Sequence, residues 1–241
     1  MQSVRLDVWR VRRRDVAAAV VAGRRDVARL RRDRAVTFAK LLGTASATFL
    51  PTGATPTRWA LLACRTGGGH SDGIGDHYGT WWDKRAVERA TLSLQPLSSR
   101  GQWDGVTPFA TGGGREWPNK NWQGAVLALT RSTLRPKEMV AFYRAVPPIA
   151  AEVARAHGCR IAFGIGEAPL VRQGTISIWD SAADVTAFAH SAPAHVAAVE
   201  RTPRQGWYAE ELFARFAIVD AAGSIDGVSI NGMPIDGVAV A

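Results

Sequence analysis

With 241 residues, 46% of them hydrophobic, the chain can bury a substantial core, either as one domain or as two small ones fused together. Its longest apolar stretches, such as 16–22 and 59–64, are too short to span a bilayer, and no apolar leader with a small-residue cleavage site opens the sequence, so a cytoplasmic protein is expected. The formal charge of +9 gathers at one end: from Arg10 to Arg34 there are ten arginines against Asp15, Asp26 and Asp33, and the remainder is nearly neutral.

Residues 4–11 alternate as a strand, and the Arg-rich segment after them reads as a helix to about Arg34. Within it Val16, Val20, Gly23, Val27 and Leu30 recur at three- and four-residue steps, so a narrow stripe packs inward while the arginines stay hydrated. The same basic face suits peripheral contact with an anionic membrane surface. No nucleic-acid partner is expected, because interleaved aromatics, zinc-ligand pairs and a helix-turn-helix pattern are missing. Residues 36–42 and 59–64 read as strands, separated by a turn-rich stretch with Pro51, Gly53 and Pro56. A Gly-rich loop at 67–73 follows, then a helix at 81–90 and a strand at 92–97.

The order then repeats. Residues 125–131 form a strand, and a helix begins near Pro136 and stops at Gly158. Strands at 161–165 and 175–179 precede a helix opened by Ser181, with Asp184 three residues on in a capping-box pattern, and a strand at 212–219 closes the unit. Each half reads strand, helix, strand, strand, helix, strand. That predicts an α+β fold of two ferredoxin-like repeats, 1–97 and 124–220, whose helix-covered antiparallel sheets pair into a barrel. The connection, 98–123, is rich in Gly and Pro but carries Trp103, Phe109, Trp117 and Trp122, so it is expected to fold over something apolar. In the tail, 221–241, Asn231-Gly232 suggests a tight hairpin turn. Cys64 and Cys159 each sit in an apolar run and read as buried thiols. Gly164-Ile165-Gly166 lacks the third glycine and helix start of a dinucleotide fingerprint, and neither a zinc-ligand cluster nor a nucleophile elbow is present.

Several segments resemble the spheroidene monooxygenase family of carotenoid biosynthesis: Phe38-Ala39-Lys40-Leu41-Leu42-Gly43-Thr44, residues 129–136, Gly164-Ile165-Gly166-Glu167-Ala168-Pro169, residues 174–179, and Ala194-His195-Val196-Ala197-Ala198-Val199. The most specific is Trp207-Tyr208-Ala209-Glu210-Glu211-Leu212-Phe213-Ala214-Arg215-Phe216. The resemblance implies a monooxygenase dependent on haem b, an oxidoreductase that places oxygen on a small apolar substrate, by default a carotenoid, with electrons from an external donor. It also implies a dimeric α+β barrel type of fold with haem between a sheet and its helices, and a homodimer. The chain departs from the family in its Arg-rich first helix and its Gly-rich excursion at 67–79, features that bear on the substrate more than on the chemistry. A haem enzyme acting on another small metabolite, a non-catalytic haem or apolar-ligand carrier, and a cofactor-free oxygenase using an aromatic-rich cavity are the alternatives.

Haem iron needs an axial donor, and a neutral imidazole is a common one. His70 and His77 lie in or beside the Gly-rich loop, and His157 adjoins the Gly158 helix stop, which leaves His190 and His195. Pro193 can start a fresh turn that carries His195 inward alongside Val199, and the family resemblance selects His195 as the metal ligand. Glu200, Glu210 and backbone carbonyls are candidate acceptors for its second nitrogen. Lys40, Arg131, Arg135 and Arg215 fall in resemblance segments near strand ends, and Arg172 lies between two such segments, where cations suit the haem carboxylates. Arg172 and Gln173 are the expected catalytic groups opposite the ligand, placed to hydrogen-bond bound oxygen.

Overall fold

The computed structural model describes residues 2–66, 78–109, 122–168 and 171–233. The first repeat runs β1 (Gln2–Val11), α1 (Val16–Leu30), β2 (Val36–Ala45), β3 (Ala54–Thr66), α2 (Thr80–Asp83) and β4 (Ala86–Gly101). The second runs β5 (Val126–Leu134), α3 (Met139–Arg155), β6 (Cys159–Ala168), β7 (Arg172–Trp179), α4 (Ala182–Ser191), α5 (Pro193–Gln205) and β8 (Tyr208–Ile225), to which β9 (Val228–Ser229) is added. Strand orders β4-β1-β3-β2 and β8-β5-β7-β6 are both ferredoxin-like. Antiparallel pairings β2–β6 and β4–β8 join the two sheets, so eight strands close into a barrel within one chain. The two seams differ in length. β2 meets β6 only from Gly43–Gly166 to Ala45–Gly164, whereas β4 and β8 pair from Ala90–Gly223 to Gly101–Leu212.

Inward-facing residues of all eight strands fill the barrel, among them Val4, Leu6, Leu42, Leu62, Leu92, Leu127, Phe163, Ile178 and Phe216. Closure covers most of the β4 and β8 edges but only the ends of β2 and β6, and the alternation that pointed to half-buried strands is the alternation between this core and the helix layer. Trp103 and Phe109 of the connection pack into the same core, as the aromatic content of that segment implied. Trp117 lies outside the described residues. Both thiols are free; Cys64 is buried and Cys159 half-buried, and burial pushes the Cys159 thiol up to about 11. None of the described helices is long and apolar enough to cross a membrane.

Four local expectations are corrected. The helix expected at 81–90 is a single turn, Thr80–Asp83, after which the chain enters β4. Pairing with β1, Val8 to Ala90 and Arg10 to Glu88, overrides the local helical spacing. Pro56 lies inside β3 rather than in a turn. On α1 the buried face is Ala19, Ala22, Gly23, Asp26, Val27 and Leu30, with Val16 and Val20 only partly buried. The stripe rotates because Gly23 lets the helix press onto β2: a Cβ there would lie 2.4 Å from Leu41 Cδ2. Finally, the hairpin turn falls at Asp226-Gly227, with φ of 53° and 78°, between Ile225 and its partner Val228. Asp226 is held there by Arg10 and by buried Arg58, whose pKa burial lowers to about 10.

Candidate functional site

The two sheets present matching outer faces to their helices. Counted back from the 3-10 turn that opens each helix, at Arg13 and Pro136, Trp9 of β1 corresponds to Ser132 of β5. In the first repeat the outward pairs between the central strands are Trp9–Trp59, Asp7–Leu61 and Arg5–Ala63. Their counterparts in the second are Ser132–Gln173, Thr130–Thr175 and Ala128–Ser177. The first interface is filled. Trp9 stacks on Trp82 at 4.9 Å, and Asp7, fully buried, accepts hydrogen bonds from Tyr78 and Thr91 at 2.6 Å each. The second is hollow: Ser132 and Gln173 stand where the first repeat has Trp9 and Trp59, Thr175 where it has Leu61, and Ala128 where it has Arg5.

The result is a cavity of about 880 Å³ between the sheet of the second repeat and helices α3, α4 and α5. That is within the usual size of small-molecule and cofactor sites, about 300–1,000 Å³. Its floor is a polar strip: Thr130 and Thr175 share a 2.7 Å hydrogen bond, Gln173 Nε2 donates to Ser132 Oγ at 2.9 Å, and Trp179 Nε1 donates to Ser177 Oγ at 2.8 Å. The roof is apolar, with Phe142, Val146, Ile149 and Val153 from α3 and Val185 and Phe188 from α4. Two aromatic clusters, one around Trp179 and one around Trp207, close its ends.

His195 lines this cavity from the first turn of α5, whose N1 residue is Pro193, as the sequence indicated. Its ring lies 5.0 Å from that of Phe188. Nδ1 is buried without a well-formed hydrogen bond, which leaves Nε2 as the nitrogen able to meet a ligand in the cavity. Burial lowers the pKa of this imidazole, outweighing the Ala189 backbone and the Glu152 carboxylate, which pull it up, so the ring is neutral at pH 7. Glu152 was invisible in the sequence. It reaches from α3 to accept hydrogen bonds from the backbone N–H groups of Ala194 (2.7 Å) and His195 (3.0 Å).

The remaining candidates divide between two places. Gln173 and Arg215 line the cavity, and His190 stands exposed at its edge. Arg215 donates to Thr186 Oγ1 at 3.1 Å, and burial lowers its pKa. Arg100, not anticipated, lies beside it on the cavity wall with its guanidinium 4.4 Å from the Phe213 ring centre. Lys40, Arg131 and Arg172 are also brought together, but in an ion network at one end of the barrel interior. Lys40 pairs with Asp104 and Glu167, Arg131 with Glu210, Glu167 and Asp104, and Arg172 with Asp104. Arg131 shares its face of β5 with the core residues Leu127 and Leu129, so its side chain lies across the sheet from the cavity although its strand borders it. Arg135 is exposed and donates to the Tyr208 carbonyl at 3.1 Å. Glu210 caps the Asp104 and Gly105 N–H groups far from His195, Glu200 is exposed at the cavity rim, and Val199 is 54% exposed. His157 is exposed, with Nδ1 2.9 Å from Asp184 Oδ1. His70 and His77 lie outside the described residues. Among the described residues no group of His, Cys, Asp and Glu is arranged to hold a metal ion by itself.

No protein-family model matches the chain. In the solved structures, an aldoxime dehydratase crystallised with butyraldoxime shares the fold, with a TM-score of 0.55 at 12% identity over 91% of this chain and 80% of that one. Among curated proteins, spheroidene monooxygenase of Rubrivivax gelatinosus is 36% identical over 145 residues, 60% of this chain and 52% of that protein. The Cereibacter sphaeroides protein of the same name is 35% identical over 149 residues, so the match spans about half the length of these two relatives. Spheroidene monooxygenase of Rhodobacter capsulatus is 35% identical over 168 residues, 69% of this chain and 68% of that protein. On that extent of identity, carried on a barrel with one hollow flank, the chain belongs to the spheroidene monooxygenase family.

Proposed function

We propose that this protein is an oxidoreductase, a haem b-dependent monooxygenase that inserts oxygen into an apolar, carotenoid-type substrate. The observation that carries the reading is the imidazole of His195 on the wall of a large, mainly apolar cavity between sheet and helices. One further feature suits haem: two cations of the cavity wall, Arg100 and Arg215, have no carboxylate partner among the described residues. In this reading His195 would hold the haem iron through Nε2, and the two arginines would hold its carboxylates by charge-assisted hydrogen bonds. When bound, haem supplies oxygen activation, with electrons from an external donor.

The chain's own groups then do three things. Phe142, Val146, Ile149 and Val153 bury the apolar substrate and exclude water, so polar groups of the floor act in a dry environment. Gln173, held by Ser132, and the Thr130–Thr175 pair present hydrogen-bonding atoms to the reacting oxygen. Gln173 takes this role rather than Arg172, which is engaged with Asp104. Outside the cavity, Arg24, Arg25, Arg29, Arg32 and Arg34 stand exposed on and just beyond α1 and favour peripheral contact with anionic lipid, which retention by anionic liposomes at low but not high salt would test.

The decisive experiment is reconstitution of the purified protein with hemin. A Soret band with an imidazole-ligated signature is expected, lost in His195→Ala with the fold intact by circular dichroism and kept in His190→Ala. Turnover of a carotenoid with a reducing system then separates an enzyme from a carrier. A correctly folded protein that refuses hemin overturns the proposal.

A further inference from the structure

We infer that Glu152 is a positioning residue for His195, acting as a helix cap supplied from a neighbouring helix. The inference rests on the reading of His195 as the cavity's functional group, but its geometric basis is separate. The first turn of any helix leaves N–H groups without intrahelical partners, and the residue before it normally supplies an oxygen to one of them. Before α5 that residue is Ala192, which has no such oxygen, and Pro193 at the next position has no N–H. The two free donors are therefore those of Ala194 and His195.

Both are taken by one carboxylate. Glu152 Oε1 accepts from Ala194 at 2.7 Å and Oε2 from His195 at 3.0 Å, in a fork that fixes direction as well as distance. The carboxylate also places negative charge at the positive end of the helix. Glu152 stands on α3, 42 and 43 residues away in sequence, so it ties the start of α5 to the helix that forms the cavity roof. The backbone atom it grips belongs to His195 itself. Movement of that N–H would carry the imidazole with it, since α4 and α5 are separated only by the Ala192 break. An ordinary stabilising cap would matter to folding alone, whereas this one sets where the ring meets the cavity.

The test compares wild type, Glu152→Ala and Glu152→Ala with Ala192→Ser, the last restoring a cap from the usual position. In the apo protein, hydrogen exchange at the Ala194 and His195 amides is expected to quicken about ten-fold in Glu152→Ala and to recover in the double variant. In the hemin complex, affinity is expected to fall about ten-fold, with the imidazole-ligated spectrum becoming a mixture, and both recover with the restored cap. Unchanged amide exchange in Glu152→Ala overturns the cap, and faster exchange with wild-type hemin affinity and spectrum overturns the positioning role. Wild-type protein that binds no hemin, while Glu152→Ala still frees the two amides, overturns the haem reading and the positioning role but upholds the cap.

Discussion

Arg131→Met would remove the cation at the centre of the barrel-end network while keeping an unbranched apolar stem. Arg131 is 2% exposed and lies against Glu210, Glu167 and Asp104. Deleting one partner of a buried ion pair costs about 3–5 kcal/mol, because the charge left behind stays desolvated. Lys40 still neutralises Asp104 and Glu167, and Asp104 is 35% exposed, which sets the expectation at the lower end, about 3 kcal/mol. With a urea m-value of about 2–3 kcal/mol/M for a chain this long, the unfolding midpoint falls by about 1–1.5 M. A pH series supplies a second signature. Burial alone would raise the Asp104 and Glu210 carboxyls, but hydrogen bonds from Lys40 to Asp104 and from the Gly105 and Asp104 N–H groups and Arg131 to Glu210 bring both below their ordinary values. Groups so depressed contribute stability above their unfolded pKa and lose it as pH falls through the folded one, so the gap between wild type and variant is widest near neutrality and narrows below about pH 4. A midpoint shift under about 0.3 M at pH 7 would refute the reasoning. If that small shift came with lost hemin affinity, Arg131 would belong to the haem carboxylates instead.

Ser132→Trp with Thr175→Leu copies Trp9 and Leu61 of the first repeat into the hollow flank. It should lower hemin affinity by about a hundred-fold or more while stability changes by less than about 1.5 kcal/mol, read by titration and by urea. In Gly174→Ala the new Cβ would lie 2.1 Å from the Thr130 carbonyl oxygen and 3.0 Å from Arg131 Cα, backbone atoms that cannot swing aside. A loss of about 1–3 kcal/mol in urea is expected. Ser181→Ala removes the N-cap of α4 at a cost of about 1 kcal/mol at pH 7. Hydrogen bonds from Ser181 and then His157 depress Asp184, so this cost should shrink as pH drops below about 4, which thermal unfolding across pH would reveal.

Much of the fold could be read from the chain because alternation in strands and punctuation of helices are local signals. Ser181 caps α4, Pro193 opens α5, and the strand order of both repeats follows from their elements. The segment 81–90 was misread because its residues suit a helix locally and are strand only through pairing with β1. The site was legible only in part. His195, Gln173 and Arg215 reached the cavity, but Lys40 and Arg131, cationic like Arg215, sit on the other face of the sheet. One residue of strand phase separates those outcomes, and the phase of an arginine is not marked when its neighbours on both faces are partly apolar. Glu152 gave no sign because its partners are backbone amides of another helix. The hollow flank did leave a trace: aligning the repeats on Arg13 and Pro136 sets Trp9 and Trp59 against Ser132 and Gln173.

Closure of the barrel by a single polypeptide frees its halves from symmetry. If two identical chains built the same enclosure, every substitution would be made twice, and emptying one side would empty its mate. Here Trp9 and Trp59 fill one wall while Ser132, Thr130 and Thr175 clear the other, so rigidity and room for a guest are divided between opposite sides of one molecule.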